Sequence, residues 1–368
     1  MARKRPDPGQ IELWPSTPRV TGRRPRAGAK TGSGSRPAGP PAADPPELGS
    51  RITGGLLGLA CGDALGAPIE FQSSAAVRKR HGTVTEMIGG GSWAPGEWTD
   101  DSGMALCIAE GILDDPADPV PGTGERFLAW WPTAKDVGGT ISAALAGFRT
   151  IGDWVQASSN THQARTGKAA GNGSLMRTLP VALAYADVGI MLTQSARLSA
   201  MTHWDPQAEV CCAIYCLWIR ELLGGAARDA GWHRALREAR RYAQTGPLAP
   251  AAPDTPGPQP LPEDFWSRFE DLARLSYTDL QPSGYAGYSV ECLEAAAWCA
   301  LYAEDAEQAI VDVVNLAGEA DTMGAVTGGA VGVYWGVEAL PSRWLAKLHQ
   351  RQRIEKIAQQ LAELREKP

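Results

Sequence analysis

A chain of 368 residues can bury one large core or two modest ones, and 43% hydrophobic with 21% charged residues is the ordinary mix of a globular protein. The net charge of −6 argues against nucleic-acid binding by the body of the chain. No run of 18 apolar residues predicts a membrane span, and the N-terminus lacks the apolar segment of a secretory signal.

The first fifty residues hold ten Pro, and nine Lys or Arg against four acids. That composition predicts a basic arm over 1–50 that does not fold by itself. A single helical domain is expected over 51–368. Within the arm, Ile11-Glu12-Leu13-Trp14-Pro15 has the make-up of a short docking element, with an inert tail as the other reading. Next comes a small-residue helix beginning Gly54-Gly55-Leu56-Leu57-Gly58, which runs to a turn at Pro68 and ends on Glu70. Gly54, Gly55 and Gly58, like Gly324, Gly328 and Gly332, predict helices that approach closely. Apolar residues recurring at three and four predict helices over 104–113, 141–148, 176–185, 209–223, 289–302 and 306–316, while alternating strand-like runs are scarce. Seven Pro over 245–263 read as a surface insertion. The last stretch, 343–365, is amphipathic and is expected to pack on the body through Trp344, Leu348, Ile357, Leu361 and Leu364. Seven scattered Cys with no Cys-x-x-Cys pair read as reduced core thiols in a cytoplasmic protein. Thirteen Trp against five Phe is unusual and suggests no function.

Two acidic motifs stand far apart, Gly96-Glu97-Trp98-Thr99-Asp100-Asp101-Ser102 and Gly318-Glu319-Ala320-Asp321-Thr322. Each sets carboxylates beside a Thr hydroxyl just before an apolar helical run. Such residues are favoured at helix starts as caps and by the helix dipole, so a solvated cap is the plain reading of either one. If the two meet in one cleft, they offer an all-oxygen site for hard divalent cations such as Mg²⁺, a chemistry Mn²⁺ shares. A two-metal site of that kind polarises hydroxyls and activates water. Between them lie Asp136-Val137-Gly138, Gly171-Asn172-Gly173-Ser174-Leu175-Met176-Arg177, Thr202-His203-Trp204-Asp205-Pro206 and Gly287-Tyr288-Ser289. Asp136 by itself reads as the N-cap of the next helix. The glycine run reads as a cradle for phosphate or ribose oxygens at the start of a helix over 175–185, or as a turn. His203, Tyr285 and Tyr288 read as contacts to a nucleoside or as structural residues.

Taken in this order, the motifs from about residue 52 to 344 resemble the ADP-ribosylglycohydrolase family. That family includes the dinitrogenase reductase-activating glycohydrolases and the ADP-ribosyl-arginine and ADP-ribosyl-serine hydrolases. The resemblance implies an all-α protein, a single orthogonal helical-bundle catalytic domain with a central dimetal cleft. It implies two Mg²⁺ ions near the ribose hydroxyls, held by Thr99, Asp100, Asp101, Glu319, Asp321 and Thr322. It further implies Glu70 on a flap near the metals, acting with Asp101 and Asp136 in catalysis, with a plain surface acid as the other reading of Glu70. Asn172, Gly173, Ser174, His203 and Tyr288 would contact the substrate. The chain departs from the family at Glu319, where the usual cluster reads Gly-Asp-x-Asp-Thr. An extra methylene matters to Mg²⁺, which demands near-ideal octahedral geometry.

Three functions are therefore expected in order. The first is Mg²⁺-dependent removal of ADP-ribose from a modified protein side chain, arginine before others. The second is the same enzyme as an immunity protein whose arm docks on an ADP-ribosylating toxin. The third is a catalytically impaired protein that only binds ADP-ribose or a partner.

Overall fold

Sixteen α-helices linked by short turns of 3-10 helix make up the described residues of the computed structural model, 45–165, 170–245, 261–280 and 287–367. In chain order they are α1 (Leu48–Gly66), α2 (Ser74–His81), α3 (Asp100–Asp114), α4 (Pro119–Trp130), α5 (Gly139–Ile151), α6 (Trp154–Ala164), α7 (Leu179–Ala184) and α8 (Val188–Ala200). Then follow α9 (Pro206–Leu223), α10 (Arg228–Thr245), α11 (Glu263–Glu270), α12 (Ser289–Tyr302), α13 (Ala306–Val314), α14 (Ala320–Trp335), α15 (Ser342–Lys347) and α16 (Arg351–Arg365). No strand forms among the described residues; two isolated bridges, Gly90 to Trp93 and Gly171 to Tyr288, are the only β-type pairings there. The protein is all-α, as expected.

The axis of the fold is an antiparallel seam between α1 and α14. Glycines at every fourth position of α1 face glycines at every fourth position of α14. A Cβ on Gly54 would fall 2.3 Å from the Gly332 carbonyl oxygen, one on Gly58 2.2 Å from that of Gly328, and one on Gly62 1.9 Å from that of Gly324. At the end of the seam Gly66 meets the backbone of Ala320 and Asp321. No side chain fits between the two backbones, and that is why both sequences carry glycine at this spacing. The close approach of helices predicted from the glycines is thus realised, with Gly62 extending it. By length and composition the stretch Leu48–Ile69 could cross a membrane, with mean hydropathy 1.4 over its most apolar 18 residues, but 89% of those are buried inside the protein. Its apolar surface is used by α14, α16, α3 and α7, which pack around it.

The other helices begin and end for local reasons. Asp153, Asp187, Asp205 and Asp305 each accept a backbone N–H from the first turn of α6, α8, α9 and α13. Three buried or half-buried arginines close helix C-termini. Arg51 donates to the carbonyls of Leu222 and Leu223, Arg228 to those of Ala300 and Ala303, and Arg365 to those of Ala182, Leu183 and Tyr185. A guanidinium there satisfies carbonyls that the helix leaves open. The tryptophan excess has a structural use of the same kind. Indole N–H groups of Trp98, Trp218, Trp232, Trp298 and Trp344 each donate to a carbonyl outside their own helix or loop, so the ring fills core while its edge ties down a connection. All seven cysteines are buried and unpaired.

Two expectations need correction. The helix predicted over 176–185 is only Leu179–Ala184, because residues 172–177 form successive turns around the buried Arg177 side chain. The amphipathic stretch 343–365 packs on the body as expected, with Trp344, Leu348, Ile357 and Leu361 buried, and it does so as two helices. It breaks between Lys347 and Arg351, where Gln350 adopts φ +54°. The folded body also starts earlier than residue 51, since α1 begins at Leu48. Residues 1–44 and 246–260, which carry most of the arm and most of the Pro-rich insertion, lie outside the described residues, as does Tyr285.

Candidate active site

The start of α3 is built by three parts of the chain. Thr99 is its N-cap, and Asp100 and Asp101 occupy the first turn. The loop before it is clamped by the break between α15 and α16. His349 donates its N–H to the Gly96 carbonyl at 2.9 Å, and Trp98 donates its indole N–H to the His349 carbonyl at 3.0 Å. Gly96 has φ +82°, and a Cβ there would lie 2.1 Å from the Lys347 carbonyl oxygen, so only glycine closes this clamp. From the other side, fully buried Asp63 on α1 accepts the N–H groups of Thr99 (2.9 Å) and Ser102 (2.9 Å) and the Ser102 hydroxyl (2.6 Å). Asp63 thereby fixes the N-terminus of α3 against the seam. Glu97 turns away and pairs with Lys135.

The seam delivers the second motif to the same place. Both acidic motifs meet at Asp101, which is 1% exposed. Its Oδ2 accepts the Thr99 hydroxyl at 3.1 Å and the Thr322 hydroxyl, from the start of α14, at 3.4 Å. Its Oδ1 is buried with no hydrogen-bond partner among the described residues. Asp321 accepts the Thr322 N–H at 2.8 Å and is itself 2% exposed.

Around this pair the remaining acids gather. Glu70 follows the short helix Ala67–Ile69, and its loop is pinned by two backbone hydrogen bonds, Phe71 N–H to the Gly318 carbonyl (2.7 Å) and Gly318 N–H to the Gln72 carbonyl (3.0 Å). Asp136 does not cap α5; that position belongs to Gly138, with no side-chain cap. Its charge acts instead on Glu70, Asp100 and Glu319. Asp100 accepts the Gly138 N–H at 3.4 Å.

This crowding has an electrostatic signature. Burial first, then the charge of Asp321, holds the Asp101 carboxyl well above the usual range. Burial, then Asp63 and Glu319, does the same to Asp321. Glu70 is pushed up to about 12 by burial and by Asp321, Asp136, Glu319 and Asp101. Asp100 is pushed up to about 7 by burial, Asp136 and Asp63. Asp63 rises to about 6 through burial, against the hydrogen bonds that favour its anion. Burial and neighbouring carboxylates thus disfavour the charged form of Glu70, Asp100, Asp101, Glu319 and Asp321.

Such a pocket suits a cation. Among the described residues no three His, Cys, Asp or Glu side chains close around one point as metal ligands would. The fit rests on donor chemistry: an orphaned, buried carboxylate oxygen on Asp101, flanked by Thr99 and Thr322 hydroxyls and the Asp321 carboxylate, all hard oxygen donors. Each of these was expected from the motifs.

Glu319 goes elsewhere. It occupies the N-cap position of α14 without capping, and its Oε2 lies 3.3 Å from the side-chain nitrogen of Asn172. Burial, then Asp136, pushes its carboxyl up to about 7, against the Asn172 hydrogen bond. The extra methylene therefore points this acid at the glycine loop, beside Gly287. That loop is held by a short ladder to the start of α12. Asn172 N–H donates to the Gly287 carbonyl (2.7 Å), and Ser289 donates its N–H and its hydroxyl to the Ala170 carbonyl. The expected helix start behind Gly171-Asn172-Gly173-Ser174 is absent, because α7 begins only at Leu179, so no helix dipole serves the loop. Ser174 accepts the Cys212 thiol in the core. The Tyr288 hydroxyl is taken by Gln207, and His203 packs against Gly171 and Gly173.

Sequence reading passed over Asp63 and the 348–350 break. A signal for Asp63 existed: it is the lone acid in the otherwise apolar and small-residue helix α1. The break had none, since Gln350 carries no local mark of a left-handed turn.

Comparison with known proteins places these features in context. A family model described as ADP-ribosylglycohydrolase matches residues 44–368. The chain is 28% identical to the ADP-ribosylarginine hydrolase Tri1 of Pseudomonas putida (strain GB-1) over 331 residues, 86% of this chain and 79% of that protein. It is 29% identical to the ADP-ribosyl-[dinitrogen reductase] glycohydrolase of Rhodospirillum rubrum, over 82% of this chain and 92% of that protein. A solved structure described as an ADP-ribosylglycohydrolase-related protein complex superposes with a TM-score of 0.69 at 32% identity, covering 86% of this chain and 99% of that one.

Proposed function

The chain belongs to the ADP-ribosylglycohydrolase family, and on that premise we propose that it hydrolyses the bond between ADP-ribose and an arginine side chain of a modified protein. The observation that carries this reading is the meeting of the two acidic motifs at Asp101, inside a chain similar along most of its length to ADP-ribosylarginine hydrolases.

Thr99, Asp100, Asp101, Asp321 and Thr322 would hold two divalent cations, Mg²⁺ or Mn²⁺, with Glu319 beside them. When bound, such ions neutralise the crowded acids, bind ribose hydroxyls and make water a better nucleophile. The rest belongs to the chain. Hydrolysis develops positive charge at the anomeric carbon of the ribose. Buried carboxylates already fixed around that point stabilise the charge without reorganising. Asp136 would accept a proton as water adds, and Glu70 would give one to the guanidine nitrogen as the carbon–nitrogen bond breaks, yielding ADP-ribose and unmodified arginine. The glycine loop, with Asn172, Gly173 and His203, would hold the nucleotide side of the substrate.

The test is release of ADP-ribose from an ADP-ribosylarginine protein. We expect turnover with Mg²⁺ and its loss with a chelator, restored by excess Mg²⁺. Turnover that survives chelation sinks the metal assignment; no turnover under any condition favours an impaired binding protein. Glu319→Asp separates these further. Withdrawing the carboxylate from Asn172 by one methylene should bring it nearer the cations and tighten Mg²⁺ in a calorimetric titration, while equal affinity means the backbone already absorbs the extra length.

We also propose, as a second reading, that the protein acts as an immunity factor against an ADP-ribosylating toxin. The support is the basic, Pro-rich arm with Leu13 and Trp14 at its centre. Deleting residues 1–44 should leave hydrolysis intact and weaken co-purification with the toxin; an unchanged pull-down removes the arm from this role.

A further inference from the structure

Behind the glycine loop stands a chain of three buried polar side chains, of which the chemistry above uses only His203. Arg177 is fully buried after the turns that follow Ser174, with its guanidinium carbon 5.0 Å from the Phe127 ring centre. It donates to the Leu198 carbonyl at 3.2 Å and to the Thr202 hydroxyl oxygen at 2.8 Å. Thr202 is also fully buried, and its hydroxyl oxygen lies 2.8 Å from His203 Nδ1. His203 is 2% exposed, and its Nε2 edge faces the loop: Cβ atoms built at Gly171 and Gly173 would fall 3.2 and 3.1 Å from Nε2.

The donor count fixes the imidazole. A guanidinium only donates, so the Thr202 oxygen accepts from Arg177. The Thr202 hydroxyl proton then needs an acceptor, and among the described residues His203 Nδ1 is the one at hand. A buried hydroxyl left without an acceptor costs free energy. Nδ1 is therefore the acceptor, and the proton of the neutral ring sits on Nε2. Burial and the nearby Arg177 and Arg165 charges hold the His203 pKa well below its ordinary value, which keeps the ring neutral.

We propose that Arg177 and Thr202 are positioning residues that lock His203 as an Nε2–H donor toward the glycine loop, where it meets an oxygen of the ADP-ribosyl group. The inference deepens the reading above and rests on it for the ligand. The relay also explains a fully buried arginine at the end of the glycine motif without an acidic partner: its charge orients a hydroxyl, and the hydroxyl selects a tautomer.

The experiment uses the full chain labelled with ¹⁵N on histidine, with the His203 signals identified by their loss in His203→Asn. The relay predicts a pyrrole-like Nε2 and a pyridine-like Nδ1 in the unliganded wild type, unchanged through neutral pH. Thr202→Ser should keep that pattern. Thr202→Val, which keeps the shape and removes the hydroxyl, should lose it and weaken ADP-ribose binding about tenfold, the worth of one misdirected hydrogen bond. In turnover the loss should fall on KM more than on kcat. A wild-type spectrum with the proton on Nδ1, or Thr202→Val matching wild type in both tautomer and affinity, overturns the proposal, and the wild-type spectrum decides even if Thr202→Val does not fold. Failure of the wild type to bind ADP-ribose counts against the functional reading, while the spectrum still decides the tautomer.

Discussion

Asp101→Ala is expected to lower hydrolysis by roughly 10³-fold or more, because one side chain serves both acidic motifs. Its Oδ2 holds the Thr99 and Thr322 hydroxyls, and its Oδ1 is the buried oxygen that no group among the described residues satisfies. Removal takes away a cation ligand, a charge and the contact between α3 and α14. The fold should survive. Burial, and then the charge of Asp321, already disfavours the Asp101 carboxylate, so truncation should cost the metal-free protein little. Circular dichroism and urea unfolding should therefore show a stability close to that of wild type without added metal, while turnover vanishes. A variant with near-normal turnover contradicts the role given to Asp101. One that is unfolded shows Asp101 to be structural instead.

Gly62→Ala should damage the fold most. The added methyl would sit 1.9 Å from the Gly324 carbonyl oxygen and 2.3 Å from its carbon, atoms of a helix backbone that cannot rotate away. The two helices must part, and every contact along the seam loosens with them. Overpacking of this kind costs about 3 kcal/mol, more where backbone rather than a side chain must yield. The same movement separates Gly66 from Ala320 and Asp321, so activity should fall along with stability. Gly49→Ala, on the same helix, is the control: its Cβ meets nothing within 4 Å, and the change should be neutral or slightly stabilising. Equal unfolding midpoints for the two variants would show that the seam is not what fixes α1 against α14.

Much of the site was legible in the sequence because its signals are local. A Thr beside adjacent acids ahead of an apolar run marks a helix start, and Thr99 does cap α3. Glycines four apart mark a close helix approach, and Gly54, Gly58, Gly324, Gly328 and Gly332 make it. What stayed hidden depends on distant partners. Asp63 lies 36 residues from Thr99, and only the folded helix pair shows that it holds the start of α3. The apolar repeat read from Met176 onward does not show that residues 172–177 are turns and that Arg177 is buried against Thr202, 25 residues on. The clamp of His349 on Gly96 joins a break in the last helical stretch to the first acidic motif, across 253 residues of chain. Glu319 shows both sides of this. Its extra methylene was visible as a departure, but its turn toward Asn172 follows from where the glycine loop packs.

The central claim is that the two acidic motifs form one site for two divalent cations. It is tested most directly by anomalous diffraction from crystals grown with Mn²⁺. The account predicts two peaks between the starts of α3 and α14, with oxygens of Thr99, Asp100, Asp101, Asp321 and Thr322 at about 2.1–2.2 Å, close to the distances of Mg²⁺. Orphaned Asp101 Oδ1 should be among the ligating atoms. Peaks elsewhere on the protein, or a site still empty at millimolar Mn²⁺, would contradict it.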